Sequence, residues 1–180
     1  MRLRHLLFAV LVVLTLATTA AADRPVPGSS LQLWIVGRAN TTFTVAITNP
    51  TDVPATFDGT GLYFVPVAKA EAPQRLGVVT PGHLSSTPNV AEAWNGIPVA
   101  PHATIQVTLT SYCLDVGRHA PPEESQYRLA DSRLPSMLSD SLAREARTIA
   151  RSPSASYSST QSAVWRIREQ SPTTLLGETR

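Results

Sequence analysis

The sequence predicts a mainly β fold: an immunoglobulin-like β-sandwich with a C-terminal helical pair packed on it, α+β overall. Short segments of alternating apolar and polar residues recur between turn-forming residues from residue 31 to residue 113, which is typical of sandwich strands. After residue 120 the apolar period becomes that of an amphipathic helix. The length that remains after removal of a leader suits one domain with its own core. We therefore expect one folded unit over 31–170, followed by a flexible tail at 171–180.

Residues 1–22 have the pattern of a secretory signal peptide. Arg2 and Arg4 make the start basic, and the apolar stretch LLFAVLVVLTLA follows. This stretch is shorter than the roughly 20 apolar residues that span a membrane. Small residues then indicate a cleavage site after Ala22. The sequence therefore predicts a secreted or periplasmic protein with no membrane span once the signal peptide is removed.

The β region is punctuated by turns. Residues 23–30, DRPVPGSS, are expected to form an extended leader, because two prolines, a glycine and serines do not favour regular structure. The connection GRANT at 37–41 and the turn NPTDVP at 49–54 separate strand-like segments. Pro66 favours an edge position for its strand, because proline removes a ladder donor. The predicted strands are 31–37, 42–48, 62–67, 74–79 and 103–113.

Two helices are predicted in the C-terminal third. The first lies within 132–151, where an apolar stripe recurs at helical spacing among charged residues; the stripe comprises Leu138, Leu142, Ala146 and Ile149. The second covers roughly 159–170, with Ser158 as its N-cap and with Val164 and Ile167 as its apolar stripe. The helical part is short for an independent domain, so we expect it to pack on the sandwich.

Charge and composition exclude several classes of function. Without Arg2 and Arg4 the chain has 13 basic and 13 acidic residues, so no basic field indicates nucleic acid or an anionic membrane as a partner. The remaining histidines, His83, His102 and His119, lack metal-ligand spacing. A hydrolase built on a cysteine and His119 lacks a recognisable orienting residue. We expect no metal, no cofactor and no catalytic residue, and we do not expect an enzyme.

Cys113 is the only cysteine, which is unusual in a chain predicted to enter an oxidising compartment, where cysteines normally pair. Strand parity puts its side chain on the face of Val107 and Leu109, and puts Tyr112 on the opposite face. Cys113 is therefore expected in the core, or at the end of the core face where a strand meets a loop. A buried apolar role and a reactive role both remain open on this reasoning.

Gln161 also has two interpretations. In the segment SSTQ, Ser158 and Gln161 fit a capping box, in which the glutamine side chain returns to the main-chain amide of the N-cap residue. Trp165 follows one turn later, so its ring is positioned either to cover the glutamine amide or to pack in the core. The capping role needs no partner outside the helix, whereas a chemical role needs Cys113 nearby.

The segments YCL and TQSAVW together resemble the paired motifs of the thioester domains of bacterial surface adhesins. In that family an aromatic–cysteine–aliphatic strand motif meets a Thr-Gln-x-Ala-(Ile/Val)-Trp helix motif, and the cysteine and glutamine side chains form an internal thioester that acylates an amine of a partner. The resemblance implies that Cys113 is the sulfur donor and Gln161 the acyl donor. The residues implied to support the bond are Tyr112, Thr160, Ala163 and Trp165.

The sequence therefore leaves two candidate functions open. One is a secreted bacterial adhesion or binding module with a Cys113–Gln161 thioester, whose partner is an unknown protein or surface ligand that bears amines. For this function, the N-terminus of the second helix is expected to stabilise the thiolate and the oxyanion. The alternative is a non-catalytic immunoglobulin-like structural or binding domain with a buried free cysteine. Much of the chain, from ITNPTD through YCLD to QSAVW, also resembles a small secreted bacterial module of no assigned activity.

Overall fold

A computed structural model describes residues 23–67, 74–86, 96–122 and 124–171. Over these residues the protein is mainly β, with antiparallel strands followed by two C-terminal helices, which confirms the mainly β class and the helical pair of the prediction. Residues 1–22, which the sequence predicts to be a signal peptide, and residues 172–180 of the expected tail lie outside the described residues. Within the described part of the chain, no helix combines the length and apolarity that crossing a bilayer requires.

Every predicted strand is present, and several short strands were not foreseen. The strands are β1 (Arg24–Pro25), β2 (Gln32–Ala39), β3 (Thr42–Thr48), β4 (Ala55–Phe57), β5 (Tyr63–Pro66), β6 (Leu76–Val78), β7 (His83–Leu84), β8 (Ile97–Val99), β9 (Thr104–Cys113) and β10 (Tyr127–Leu129). The expected end of the β region near residue 120 is wrong, because β10 follows it. The leader is also more ordered than expected, since β1 pairs with β2 and places Val26 in the core.

Eight strands form one antiparallel sheet in the order β1-β2-β3-β9-β6-β5-β10, with β7 also paired to β9, and β4 with β8 forms a separate two-stranded sheet. β9 is shared between two groups of strands, because its first part pairs with β3 and Ser111–Cys113 pair with β6. The outer strands of the sheet approach each other. Arg24 in β1 lies 2.9 Å from the carboxylate of Asp131, just after β10. The sheet is therefore nearly closed.

Opposite faces of β9 contribute to two apolar cores. Val107 and Leu109 are fully buried in the larger core, and Cys113 packs against its edge. Tyr112 belongs instead to a second core between the sheet and the helices. The parity predicted for this strand is therefore confirmed. Gly77 of β6 pairs with Tyr112 of β9. Its lack of a side chain allows Leu114 to pack closely against β6, since a Cβ at Gly77 would lie 2.6 Å from the Leu114 side chain.

The helices are α1 (Ser136–Ala150) and α2 (Tyr157–Gln170). In α1, the buried residues include the predicted stripe residues Leu138, Leu142 and Ala146, whereas Ile149 is partly exposed. In α2, Val164 is buried and Ile167 packs against the same core. The two helices contact each other, and α2 also contacts β9, which brings the second motif of the sequence to the end of that strand.

The predicted N-cap of α2 is wrong. Ser156, not Ser158, caps the helix, and its hydroxyl accepts from the main-chain N–H of Ser159. The Ser159 hydroxyl in turn accepts from the main-chain N–H of Ser156, which completes the capping box. Gln161 is thus displaced from the box position into the helix body, where its side chain is available for another contact.

Candidate functional site

The side-chain amide of Gln161 lies against the main chain of Cys113. The Cys113 N–H donates to Gln161 Oε1 at 2.8 Å, and Gln161 Nε2 donates to the Cys113 carbonyl at 2.9 Å. Gln161 is almost fully shielded from solvent, with 8% of its surface exposed, whereas Cys113 is only partly buried. The two residues singled out from the sequence, 48 positions apart, therefore meet in the fold.

The strand pattern explains why this contact forms. Residues i and i+2 of an antiparallel strand direct their main-chain groups to the same edge. On the edge of β9 that faces β3, Ser111 N–H donates to the Thr41 carbonyl, and β3 begins only at Thr42. The groups of Cys113 lie beyond the reach of β3. The Gln161 amide presents an NH2 donor and an oxygen acceptor, so it continues the hydrogen-bond ladder of β9 beyond the end of β3.

Tyr157 joins the same contact from one turn earlier in α2. Its hydroxyl lies 3.1 Å from the Ser111 carbonyl and 3.3 Å from Gln161 Oε1, and its single hydrogen is within reach of both acceptors. The Tyr157 ring stacks on the ring of Tyr112, with centroids 4.9 Å apart and an interplanar angle of 12°. The amide oxygen of Gln161 is thus placed between a main-chain donor and a side-chain donor.

A cavity of about 570 Å³ opens beside this contact. Cys113 and Gln161 line it together with residues of β6, α2 and the loop after β9; the other lining residues are Asn40, Thr41, Gln74, Leu76, Ser111, Arg118, Ala120, Pro121, Tyr157 and Trp165. Arg38 holds this loop, because its guanidinium donates to the carbonyls of Pro121 and Pro122. The site therefore combines a sulfur, an amide and enough volume for a small ligand group.

Two buried polar atoms in the cavity lining form no hydrogen bond with any described residue. They are Oε1 of Gln74 and Nε1 of Trp165. The Gln74 amide is oriented by its Nε2, which donates to the Arg118 carbonyl at 2.6 Å, so the other atom is an acceptor. Trp165 Nε1 is a donor only. The lining thus holds one unused acceptor and one unused donor.

The charge environment keeps the thiol of Cys113 protonated near neutral pH. Burial raises its pKa, the negative charge of Asp115 raises it further, and the positive charge of Arg38 partly offsets both effects. The protonated form is a poor nucleophile. Reaction of this sulfur therefore requires that its proton leave as the new bond forms.

A buried ion pair fixes the chain just beyond Cys113. The Arg75 guanidinium and main-chain N–H both donate to the carboxylate of Asp115, and both side chains are less than one-tenth exposed. Burial alone would raise the pKa of Asp115, but the hydrogen bonds and charge of Arg75, with a contribution from Arg118, outweigh it and lower that pKa. This pair anchors the turn after β9 and so sets where the cavity loop begins.

The residues expected to support the bond lie in different places. Trp165 lines the cavity, as expected for a residue that covers the amide. Tyr112 lies on the opposite face of β9 and reaches the site through its stack on Tyr157. Thr160 and Ala163 are buried within α2, outside the set of residues that line the cavity.

Sequence reasoning missed Tyr157, Gln74 and Arg38. Tyr157 had a usable signal, because it stands four residues before Gln161 and so shares its helix face. Gln74 and Arg38 had none, since only the tertiary fold brings β2 and β6 to the end of β9. The donors at Gln161 Oε1 are also not the free amides of the α2 N-terminus that were expected to act there.

Comparison with known proteins yields no match of any kind: no family model, no curated protein and no solved structure matches this chain.

Proposed function

We propose that the chain is a secreted bacterial adhesion or binding module in which Cys113 and Gln161 form an internal thioester that acylates an amine of a partner. The observation that carries the proposal is the pair of hydrogen bonds, 2.8 and 2.9 Å long, between the Gln161 amide and the main chain of Cys113. These bonds hold Cδ of Gln161, the carbon that the sulfur would attack, next to Cys113. The proposal also keeps the immunoglobulin-like sandwich as the finer description of the β fold.

The chemistry needs no other reactant inside the protein. The Cys113 sulfur bonds to Cδ of Gln161, the Cδ–Nε2 bond breaks, and ammonia leaves with the two amide hydrogens and the thiol proton. A partner amine then bonds to Cδ, the Cδ–S bond breaks, and one amine proton returns to the sulfur. Holding both groups in one geometry makes the first step effectively unimolecular, which favours it over the same reaction in solution.

The burial of the site supports a bond that survives in water. Gln161 is nearly enclosed, and Trp165, Ala120 and Pro121 line the cavity beside it. Exclusion of water protects a reactive acyl group from hydrolysis. The volume of the cavity still admits a small primary amine. A thioester in this position would therefore be reached only by nucleophiles small enough to enter the cavity, and its preference for an amine over water would come from the greater nucleophilicity of the amine.

Methylamine labelling tests the proposal. Native protein that carries the bond should incorporate one methylamine at Gln161 and release one thiol, detected by a chromogenic disulfide. Cys113→Ala and Gln161→Ala should abolish both events, and Gln170→Ala, a change of the same residue type on the exposed end of α2, should leave both intact. Equal labelling of the wild type and Cys113→Ala would reject the thioester.

A second candidate is a non-covalent binding domain with an unreacted thiol, and the two unused polar atoms favour it. Leaving a buried polar atom without a partner costs about 1–3 kcal/mol. Both atoms are themselves enclosed, so a ligand group would have to enter from the cavity and displace their neighbours. A group that offers a donor to Gln74 and an acceptor to Trp165, such as a primary carboxamide, would then remove that cost. Acetamide should then raise the melting temperature of the wild type more than that of Trp165→Phe. Equal shifts in the two proteins would remove this candidate.

A further inference from the structure

Two donors converge on one oxygen of the candidate acyl group. Gln161 Oε1 accepts from the Cys113 main-chain N–H at 2.8 Å and from the Tyr157 hydroxyl at 3.3 Å. The first donor is fixed by the strand, and the second by the aromatic stack of Tyr157 on Tyr112. Nothing in the ladder role of Gln161 requires the second donor, because the carbonyl oxygen is already satisfied by Cys113.

Attack on an amide or thioester carbon turns its oxygen into an oxyanion. Preorganised donors that face this oxygen stabilise the tetrahedral intermediate, and removal of one such donor typically slows acyl transfer by about 10²–10³-fold. The geometry around Oε1 has the features of such a site: it is shielded, it uses a rigid main-chain N–H, and it adds a side-chain hydroxyl from one turn earlier in the same helix.

The Tyr157 proton is divided between two acceptors in the resting protein. The hydroxyl has a single hydrogen, and it is within hydrogen-bonding distance of both the Ser111 carbonyl and Gln161 Oε1. Negative charge on Oε1 would draw this hydrogen away from the neutral Ser111 carbonyl, because hydrogen bonds to a charged acceptor are stronger. Burial raises the pKa of Tyr157, and interactions with Cys113 and Tyr112 raise it further. The hydroxyl is therefore available as a donor throughout the neutral range.

We infer that the Tyr157 hydroxyl and the main-chain N–H of Cys113 form an oxyanion hole for the acyl carbon of Gln161, acting both when Cys113 closes the bond and when an amine opens it. This inference rests on the thioester function proposed above. It assigns Tyr157 a catalytic contact with the reacting group.

The opening of the bond by methylamine measures this role directly. Tyr157→Phe keeps the ring and its stack on Tyr112 but removes the hydroxyl. The rate at which methylamine opens the thioester in this variant, followed by thiol release at fixed methylamine concentration and pH, should fall by about 10²-fold relative to the wild type. The matched control is Tyr63→Phe, which removes a hydroxyl that contacts Ser132 in the core beneath the helices. That variant should open at the wild-type rate.

Tyr157 replaced by 3-fluorotyrosine provides a second variant in case Tyr157→Phe does not fold. It retains the ring and carries a more acidic hydroxyl, which is a stronger donor, so opening should be faster than in the wild type, and an unchanged rate would contradict the role. A Tyr157→Phe protein that folds, carries the bond and opens at the wild-type rate would overturn the oxyanion hole alone. A wild-type protein that never loses ammonia would instead overturn the thioester function on which the inference rests.

Discussion

Gln161 occupies the place of a strand residue opposite Cys113. Its amide forms one hydrogen bond to each main-chain group of Cys113, at the point where β3 no longer covers the edge of β9. A helix side chain thereby completes a β ladder. The same contact places the amide carbon of Gln161 beside the only cysteine of the chain, so the structural role and the proposed chemical role of Gln161 rest on the same geometry.

The ladder role predicts a loss of stability when the Gln161 amide is removed. Measured in the Cys113→Ala background, where ring closure cannot remove Nε2, Gln161→Ala should lower the free energy of unfolding by about 1–3 kcal/mol, because the main-chain N–H and carbonyl at position 113 lose their partners. The urea midpoint measures this change. Gln170→Ala serves as the control, since Gln170 is exposed, and should change stability by less than about 0.5 kcal/mol. Equal midpoints for the two variants would contradict the ladder role.

Cys113→Ala should separate the chemical role from the structural one. The substitution keeps the main-chain groups that bind Gln161 and removes only the sulfur at the edge of the larger core. We expect a loss of about 1–2 kcal/mol, the range typical of a small truncation, together with complete loss of amine labelling. Circular dichroism and urea unfolding check the fold. A Cys113→Ala protein that is unfolded at neutral pH would show that the residue is chiefly structural.

The β9 strand shows how much of the site could be predicted from the sequence. Alternation along 103–113 correctly separated the faces of Cys113 and Tyr112, because the two cores on either side make strand parity unambiguous. The short strands β4, β8 and β10 could not be predicted, since three residues are too few to establish a period. Their pairing is decided by tertiary contacts.

The capping of α2 shows a different limit. Several serines precede the helix, and the Ser158–Gln161 pair fits the capping-box pattern better than the Ser156–Ser159 pair that forms. The contact of Gln161 with β9 outweighs this local preference, because burial of an amide against unpaired main-chain groups satisfies more polar atoms than a solvent-exposed cap does. Local pattern alone therefore assigned the Gln161 side chain to the cap of α2 rather than to its contact with β9.

Acid should destabilise the protein through Asp115. Its pKa is lower in the folded state, so its contribution to stability is present above the unfolded pKa of about 3.9 and is lost as the pH falls through the folded pKa. Asp115→Asn should remove that part of the acid dependence and lower stability by about 3–5 kcal/mol at pH 7, because Arg75 stays buried without its charge partner. Urea unfolding from pH 2 to pH 7 measures both effects.

Asp131→Asn provides the control for this comparison. Asp131 pairs with Arg24 at the surface and is largely exposed, so its loss should change stability by less than about 1 kcal/mol. If Asp115→Asn and Asp131→Asn behave alike at pH 7, the Arg75–Asp115 pair does not anchor the turn beyond β9.

The pKa of the Cys113 thiol should be raised in a variant that cannot form the thioester. In Gln161→Ala, alkylation by iodoacetamide should rise with pH through a pKa above the ordinary cysteine value of about 8.5, because burial and Asp115 both disfavour the thiolate. The initial rate from pH 6 to pH 11 measures it, with glutathione as the reference thiol. A midpoint at or below that of glutathione would contradict the buried environment described for Cys113.

The intact mass of the native mature protein tests the central claim most directly. If Cys113 and Gln161 are joined, the protein should weigh one ammonia less than its processed sequence, and Cys113→Ala should show the full mass of its own sequence. Electrospray measurement under conditions that preserve thioesters resolves this difference. A native protein of full mass, with a thiol that reacts only after denaturation, would contradict the thioester and leave Gln161 as the side chain that completes the β9 ladder.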